Sequence, residues 1–304
     1  MQMTRLLLSF TASLGLFAQD SIQGPLVGWT YEAATSSLRA IQGIPGSSTL
    51  GGRAGSGLRR AVSAPGGAFA LAVSNESGQA QIIDLRNGEP RALDVPEGAD
   101  AVFLSPRGTA AVLLYRGLGR AIVLSVLPGE PVVASRFDTS AETLAVSDDA
   151  KAVMVVEASG VRMFDGDANQ WMLNHSEPTS SAVFREASHD AVLAGSTGVW
   201  LINSVSGNAS AERIWEGDAT AAVVDGKAAV LIERNMGLVA VSLHDRSVQR
   251  LECPCTPVTL VRLSQSVYRV NELAEGPLWL VDLNGSSPRA VFVPADAKSE
   301  SSEQ

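Results

Sequence analysis

The sequence predicts an all-β fold built from one repeated unit. A phrase of two apolar strands around a polar turn occurs seven times, and from the second copy onward the starts advance by 41, 39, 38, 39 and 40 residues. Six of the seven copies follow another pair of short strands, so a complete unit holds four strands. Outside the N-terminal segment, no window of about twelve residues keeps helical periodicity. These observations predict a β-propeller of about seven four-stranded blades, with six blades as the alternative.

The copies of the phrase are spread over nearly the whole chain. They start at Pro25, Ala80, Ala121, Gly160, Gly198, Gly237 and Pro277. A fixed period of this size is typical of stacked units, because no single unit can bury its apolar face alone. Turns rich in Gly, Ser, Asp and Asn separate the strands, as hairpins require.

The turns between the first two strands of a unit carry a shared motif. Ser63 to Gly67, Ser105 to Gly108 and Ser147 to Lys151 resemble the Ser-Pro-Asp-Gly turn of YVTN-type and WD40-like propeller blades, and Val224 to Lys227 is a shortened version. The Gly-His and Trp-Asp dipeptides of true WD40 repeats do not occur, and the fourth and sixth units depart from the turn consensus. The resemblance covers nearly the whole mature chain and implies a propeller of the exported bacterial type, without a functional subfamily.

The first copy of the phrase differs from the others. Pro25 to Ile41 has the pattern of the two outer strands of a blade, but no inner pair precedes it. Gly43 to Gly57 is rich in Gly and Ser, and we expect a linker there. Either the seventh blade is incomplete, or six blades close the ring and this hairpin packs at the seam. We favour seven, because terminal repeats are often atypical.

The N-terminal segment has the order of a secretory signal peptide. Arg5 is followed by the apolar run Leu6 to Phe17 and then by Ala18, after which we expect cleavage. The run is shorter than the roughly 20 residues that a membrane span needs. We therefore predict a signal peptide at 1–18, a single propeller domain at 19–295 and a disordered polar tail at 296–304. The mature protein is expected to be secreted or periplasmic, without membrane insertion.

The charge balance restricts the partners. The chain has 23 basic and 32 acidic residues, for a formal net charge of -9. No block of Lys or Arg interrupts this acidic character, so binding of nucleic acid or of anionic lipid is disfavoured.

The two cysteines, Cys253 and Cys255, flank Pro254. In an oxidising compartment they are candidates for a local disulfide. Two extended steps would place their Cα atoms at the upper limit of the usual range for such a bond. Two inert thiols are the main alternative.

Catalytic signatures are absent from the sequence. There is no nucleophile elbow, phosphate loop or dinucleotide fingerprint in a matching context, and no serine lies in a motif that would activate it. The three histidines fall in different kinds of loop, and we interpret each as a surface turn residue: His175, His189 and His244. Asp165 to Asn169 imitates the opening of a calcium loop but lacks its later Gly and Glu, so a hairpin turn is the better interpretation. We predict no catalytic residue, metal or cofactor.

The loops after the second and fourth strands of each unit are expected to share one face around the central channel, as in the propellers that this chain resembles. Binding residues often lie on loops held by a rigid scaffold. The candidate binding residues on these loops are Arg116, Arg120, Arg136, Glu157, His175, Glu233, Arg234 and Glu272. Arg116, Arg120 and Arg136 come from adjoining units and could form a local basic spot. Convergence of the three glutamates would instead favour a metal enzyme.

Together these patterns predict an exported, non-enzymatic propeller that acts as a binding or scaffolding module. Its partner would be an unidentified protein or small molecule, and we expect a monomer. The alternative is a metal-dependent hydrolase or lyase of the propeller lactonase kind. A sensor segment of an envelope assembly is a third possibility.

Overall fold

The computed structural model describes residues 24–295 except 168, 208, 236, 275 and 286. These residues form seven antiparallel sheets, each built from strands that are consecutive in the chain. Six sheets have four strands and the first has three. The predicted β-propeller of seven blades is thus confirmed, and we number the blades from the N-terminus. The predicted signal peptide and polar tail lie outside the described residues.

The first three blades contain eleven strands. They are β1 (Leu26–Glu32), β2 (Ser37–Ile44) and β3 (Ser47–Ala54) in blade 1; β4 (Leu58–Ser63), β5 (Phe69–Ser74), β6 (Ala80–Asp84) and β7 (Pro90–Ala92) in blade 2; and β8 (Ala101–Leu104), β9 (Ala111–Tyr115), β10 (Arg120–Ser125) and β11 (Val132–Asp138) in blade 3.

The other four blades contain sixteen strands. They are β12 (Thr143–Val146), β13 (Ala152–Glu157), β14 (Gly160–Asp165) and β15 (Gln170–Met172) in blade 4; β16 (Ser181–Phe184), β17 (Ala191–Gly195), β18 (Gly198–Asn203) and β19 (Ser210–Glu216) in blade 5; β20 (Ala219–Val224), β21 (Ala228–Glu233), β22 (Leu238–Ser242) and β23 (Val248–Leu251) in blade 6; and β24 (Val261–Arg262), β25 (Val267–Arg269), β26 (Leu278–Asp282) and β27 (Arg289–Val293) in blade 7.

The hydrophobic core lies between the blades, and strand β9 shows how. All of its residues are buried. Leu113 packs in the cluster shared with blade 2, whereas Val112 and Leu114 pack in the cluster shared with blade 4. Successive side chains of a strand point to opposite faces, so a strand between two neighbours must be apolar throughout. This explains why the second strand of most units reads as a continuous apolar run.

The shared turn motif has a structural reason. The Oγ of Ser105 accepts a hydrogen bond from the backbone N–H of Ala110 at 3.1 Å, and the Oγ of Ser147 accepts one from Ala152 at 3.0 Å. In the shortened turn, a carboxylate oxygen of Asp225 accepts N–H groups of the following residues instead. Such local bonds satisfy turn backbone and fix the hairpin.

Blade 1 corrects the expectation for the N-terminal region. The segment expected to be a linker contains β3, in which Leu50 pairs with Ile41 and Ala54 pairs with Leu38. The buried Ala54 and half-buried Leu50 are apolar positions that the surrounding Gly and Ser residues obscure in the sequence. β1 packs against β4, while β3 packs against β27. The first phrase therefore supplies the inner and middle strands of its sheet rather than the two outer ones.

The only helical elements among the described residues are two single 3-10 turns, Ala33–Thr35 and Arg116–Leu118. No helix in the described part of the chain is long and apolar enough to cross a membrane.

Candidate functional site

The first strands of blades 2 to 7 surround a central cavity of about 420 Å³. Most of its wall is apolar, and representative lining residues are Val102, Leu104, Leu144, Phe184, Val224 and Leu260. None of the described lining residues belongs to blade 1. We call this space the channel.

One mouth of the channel is crossed by three charged side chains, which we call the mouth bridge. Glu186, in the turn after β16, accepts a hydrogen bond from Nε of Arg107 at 2.9 Å and one from Nη2 of Arg262 at 2.8 Å. Arg107 lies in the turn after β8, and Arg262 ends β24. The three residues come from blades 3, 5 and 7, so the bridge joins alternate blades across the axis.

Backbone contacts hold the mouth bridge in place. Arg262 also donates to the carbonyl oxygens of Pro106 at 3.0 Å, Ser264 at 3.2 Å and Gln265 at 3.0 Å. The carboxylate of Asp148 accepts the backbone N–H groups of Arg107 at 2.7 Å and Ala187 at 2.8 Å. The turns of blades 3, 4 and 5 are therefore tied together beneath the bridge.

The electrostatics of the bridge keep it charged. Hydrogen bonds from Arg107 and Arg262 lower the pKa of Glu186, despite the opposing effect of partial burial. The same contact raises the pKa of Arg107. The side chain of Arg262 is 13% exposed and that of Glu186 is 35% exposed. The counter-charge of the mostly buried Arg262 guanidinium is thus a carboxylate that solvent can reach.

The hydroxyl of Tyr268 is a further polar group at the channel, and it differs from the mouth bridge in having no partner among the described residues. Tyr268, on β25, lines the cavity and is 1% exposed. Its Oη is buried and has no hydrogen-bond partner in the described part of the protein. Burial raises the pKa of Tyr268, so the hydroxyl keeps its proton and can donate. Tyr268 is paired with Arg262 across β24 and β25, which places the two side chains on the same face of the sheet.

A neighbouring cluster was missed by sequence reasoning. Nε2 of His189 lies 3.1 Å from the carboxylate of Asp149, and its Nδ1 lies 2.7 Å from Oγ of Ser206. Burial alone would raise the pKa of Asp149, but hydrogen bonds from Ser147, the N–H of Lys151 and His189 lower it to about 2. His189 thus connects blades 4 and 5. The sequence signal that could have identified this cluster is the spacing of its residues. Asp149 and His189 lie in equivalent turns and are 40 residues apart, which is one repeat.

The candidate glutamates pair within their own blades. Glu157 forms an ion pair with Arg162 in blade 4. Glu233, which is nearly buried, pairs with Arg250 in blade 6, with one contact at 3.0 Å.

The third candidate, Glu272, follows the same pattern and pairs with Arg269 at 2.7 Å in blade 7. Among the described residues, no group of three His, Cys, Asp or Glu side chains could hold a metal ion. The convergence that would favour a metal enzyme is therefore not found there.

Carboxylates contact three of the candidate arginines, namely Arg116, Arg120 and Arg234. Arg120 forms an ion pair of 3.4 Å with Asp138, and the exposed Arg136 sits opposite Ile122 on the outer strand. The backbone N–H of Arg116 donates to Asp100 at 2.7 Å. In blade 6, Arg234 pairs with Asp218.

His175 packs edge-on against Trp200, with ring centroids 5.2 Å apart. Burial lowers its pKa, and Glu177 opposes that effect.

The carboxylate of Asp165 accepts hydrogen bonds from the backbone N–H groups of Asp167 and Asn169. Such bonds are typical of a hairpin turn.

Cys253 and Cys255 are joined in a disulfide, with Cα atoms 5.1 Å apart. The separation is shorter than two extended steps would give, because the backbone bends at Pro254 and Cys255.

The fold and the channel define this chain as a seven-bladed β-propeller. No family model and no curated protein sequence matches it. Solved structures do resemble it. Citrobacter koseri AztD is 13% identical with a TM-score of 0.57, covering 88% of this chain and 81% of that one.

Two further structures show a similar degree of likeness. A functionally unknown protein from Desulfotomaculum acetoxidans is 11% identical, with a TM-score of 0.58 and coverage of 88% of this chain and 99% of that one. The Myceliophteria thermophila Cps50 (Swd1) β-propeller domain is 12% identical, with a TM-score of 0.55 and coverage of 78% and 87%. At such identities the likeness establishes the fold alone.

Proposed function

We propose that this protein is an exported binding or scaffolding module of the YVTN-like type, and that it takes its ligand at the mouth of the channel. The observation that carries the proposal is the mouth bridge, in which two arginines from separate blades share the carboxylate of Glu186. Loops on a rigid scaffold are the usual place for binding residues. A cavity of about 420 Å³ lies directly behind these loops and is of the size that small ligands occupy.

Binding is better supported than metal-dependent catalysis. Glu157, Glu233 and Glu272 are each engaged by an arginine of their own blade, which leaves their carboxylates committed to structural ion pairs. The mouth instead presents guanidinium groups, which suit recognition of a planar anion.

A thermal-shift screen tests the binding role. The probes are small carboxylates, phosphates, sugars and alcohols, added to wild-type protein and to the Arg262→Ala variant. We expect at least one probe class to raise the Tm of the wild type and to lose that effect in the variant. Arg86→Ala is the matched control, because Arg86 is exposed and pairs with Asp84 in an outer turn of blade 2. Shifts that persist unchanged in Arg262→Ala would contradict the proposed site.

Export is tested separately by expressing the full chain in a bacterial host and fractionating the cells. We expect the protein in the periplasm or medium, with a mature N-terminus at Gln19. Uncleaved protein confined to the cytoplasm would rule out this part of the proposal.

A further inference from the structure

We propose that the channel binds a small amphipathic carboxylic acid, whose apolar body fills the channel and whose carboxylate replaces Glu186 on Arg262. This inference rests on the proposed binding function and names the class of ligand. Three features carry it: the apolar wall, the unpartnered hydroxyl of Tyr268 and the exchangeable position of Glu186.

The wall selects for an apolar body. The first strands of six blades present mainly aliphatic and aromatic side chains to the channel, among them Leu104, Leu144 and Phe184. Transfer of hydrocarbon from water into such a space is favourable in proportion to the apolar area removed from water. A highly polar ligand such as a free sugar would place its hydroxyl groups against a wall that is mostly apolar, which is costly wherever they remain unpaired.

Tyr268 supplies a donor that a ligand in the channel can satisfy. Its Oη is buried, protonated and unpaired within the described part of the chain. Buried polar groups in folded proteins are nearly always hydrogen-bonded, so an exception beside a cavity indicates a missing partner. The partner must be an acceptor, and a carboxylate oxygen is a strong one.

Arg262 is positioned for an incoming carboxylate before that group arrives. Its contacts to the carbonyl oxygens of Pro106, Ser264 and Gln265 hold the guanidinium in place independently of Glu186. Arg262 and Tyr268 are cross-strand partners, so their side chains lie on the same face of the sheet. In the proposed complex one carboxylate accepts from both. Arg262 is thus a fixed anion site, and the partly exposed Glu186 occupies it as an internal competitor.

The mouth bridge therefore acts as an exchangeable closure. When Glu186 is displaced, it remains in an exposed turn where water can solvate its charge. Arg262, which is mostly buried, never lacks a counter-charge in either state, since the incoming anion takes the place of Glu186.

The test is calorimetric titration of the full mature protein with sodium octanoate, with octanol and octylamine as probes that keep the apolar body and change the head group. We expect saturable binding of octanoate and none of octylamine. Glu186→Gln removes the competing carboxylate and should tighten octanoate binding about tenfold, while Tyr268→Phe removes the donor and should weaken it about tenfold, each a shift within the range of one hydrogen bond to a charged group.

Two control variants separate this role from general effects on folding. Glu130→Gln changes an exposed glutamate in an outer turn and should leave octanoate binding unchanged. Tyr115→Phe removes a buried hydroxyl that already donates to the carbonyl of Pro96 at 2.8 Å. It should lower the Tm without affecting octanoate, whereas Tyr268→Phe should not lower the Tm.

Two results would overturn the inference. One is no octanoate binding by either the wild type or Glu186→Gln, and the other is binding of equal affinity in the wild type, Glu186→Gln and Tyr268→Phe. If octanoate fails while another probe still gives a thermal shift that requires Arg262, only the ligand class is wrong and the proposed binding function stands.

Discussion

Arg269 of the last blade donates a hydrogen bond of 2.9 Å to Oγ1 of Thr30 in the first blade, across a separation of 239 residues. Both residues are buried. Arg269 also forms an ion pair with Glu272, so its charge is balanced within blade 7. The same guanidinium contacts blade 1 across the junction of the first and last blades. An isolated parallel bridge between Glu32 and Leu273 lies at the same junction. Polar contacts thus supplement face-to-face packing where the ring closes.

The first prediction concerns this seam. Thr30→Val keeps the shape of the side chain but removes the acceptor for a buried guanidinium. We expect the free energy of unfolding to fall by about 1 to 3 kcal/mol, the typical cost of leaving a buried partner unsatisfied. Urea denaturation, monitored by tryptophan fluorescence, measures the change in the free energy of unfolding. Thr49→Val, on the exposed side of β3, is the control and should shift stability by less than about 0.5 kcal/mol.

The second prediction concerns acid stability. Asp149 has its pKa lowered from 3.8 to about 2 in the folded protein. Its stabilising contribution is therefore complete above the unfolded pKa and is lost as the pH falls towards 2. Asp149→Asn should make the free energy of unfolding less sensitive to pH in that window, and should lower stability at neutral pH. Denaturation series at several pH values provide the measurement.

Asp167→Asn is the matched comparison for acid stability. Asp167 lies in an exposed turn, and its side chain makes no hydrogen bond among those of the described residues. The variant should follow the acid profile of the wild type. Identical profiles for Asp149→Asn and the wild type would show that the charged carboxylate of Asp149 does not stabilise the fold.

The third prediction concerns packing between blades. Leu231, on the second strand of blade 6, is fully buried and packs in the cluster shared with blade 5. Leu231→Ala should lower the free energy of unfolding by about 2 to 5 kcal/mol, because a cavity remains where the side chain was. Val248→Ala truncates an exposed outer-strand residue and should cost less than about 0.5 kcal/mol. Equal losses in the two variants would contradict the inter-blade core.

The fourth prediction concerns the disulfide between Cys253 and Cys255. Intact-mass spectrometry after alkylation should find no free thiol before reduction and two after it. Because the closed loop is very short, loop-closure entropy gives the bond less than about 2 kcal/mol of stabilising effect. The double variant Cys253→Ala/Cys255→Ala should therefore remain folded. Alkylation of both thiols in unreduced, exported protein would argue against the bond.

The sequence was sufficient for the blades because each blade is a local structure. Runs such as Ala111 to Tyr115 are apolar throughout, since both faces of the strand are covered by neighbours. The exception was β3, where Leu50 and Ala54 are isolated among Gly and Ser. There the pairing with β2 outweighs a composition that is typical of loops.

The channel mouth could not be predicted in the same way. Arg107 and Glu186 are 79 residues apart, and Glu186 and Arg262 are 76 residues apart, which is two blades in each case. Whether such residues meet depends on the ring curvature and on the direction of each turn. Sequence reasoning placed the candidate residues on the loops after the second and fourth strands, whereas the mouth bridge uses turns after first strands. A comparison of residues two periods apart would have been the useful signal.

The order of strands in the chain has a consequence for biosynthesis. Every sheet is formed by consecutive strands, so the strand pairing of each blade requires no segment that is synthesised later. Its core is completed when the next blade packs against it. Arg262 and Tyr268 both belong to the last blade, which is translated after all the others. A nascent chain with six blades would therefore possess most of the channel wall but neither the anion site nor the unpaired donor. The proposed capacity to recognise a ligand would be acquired in one final step, together with closure of the ring.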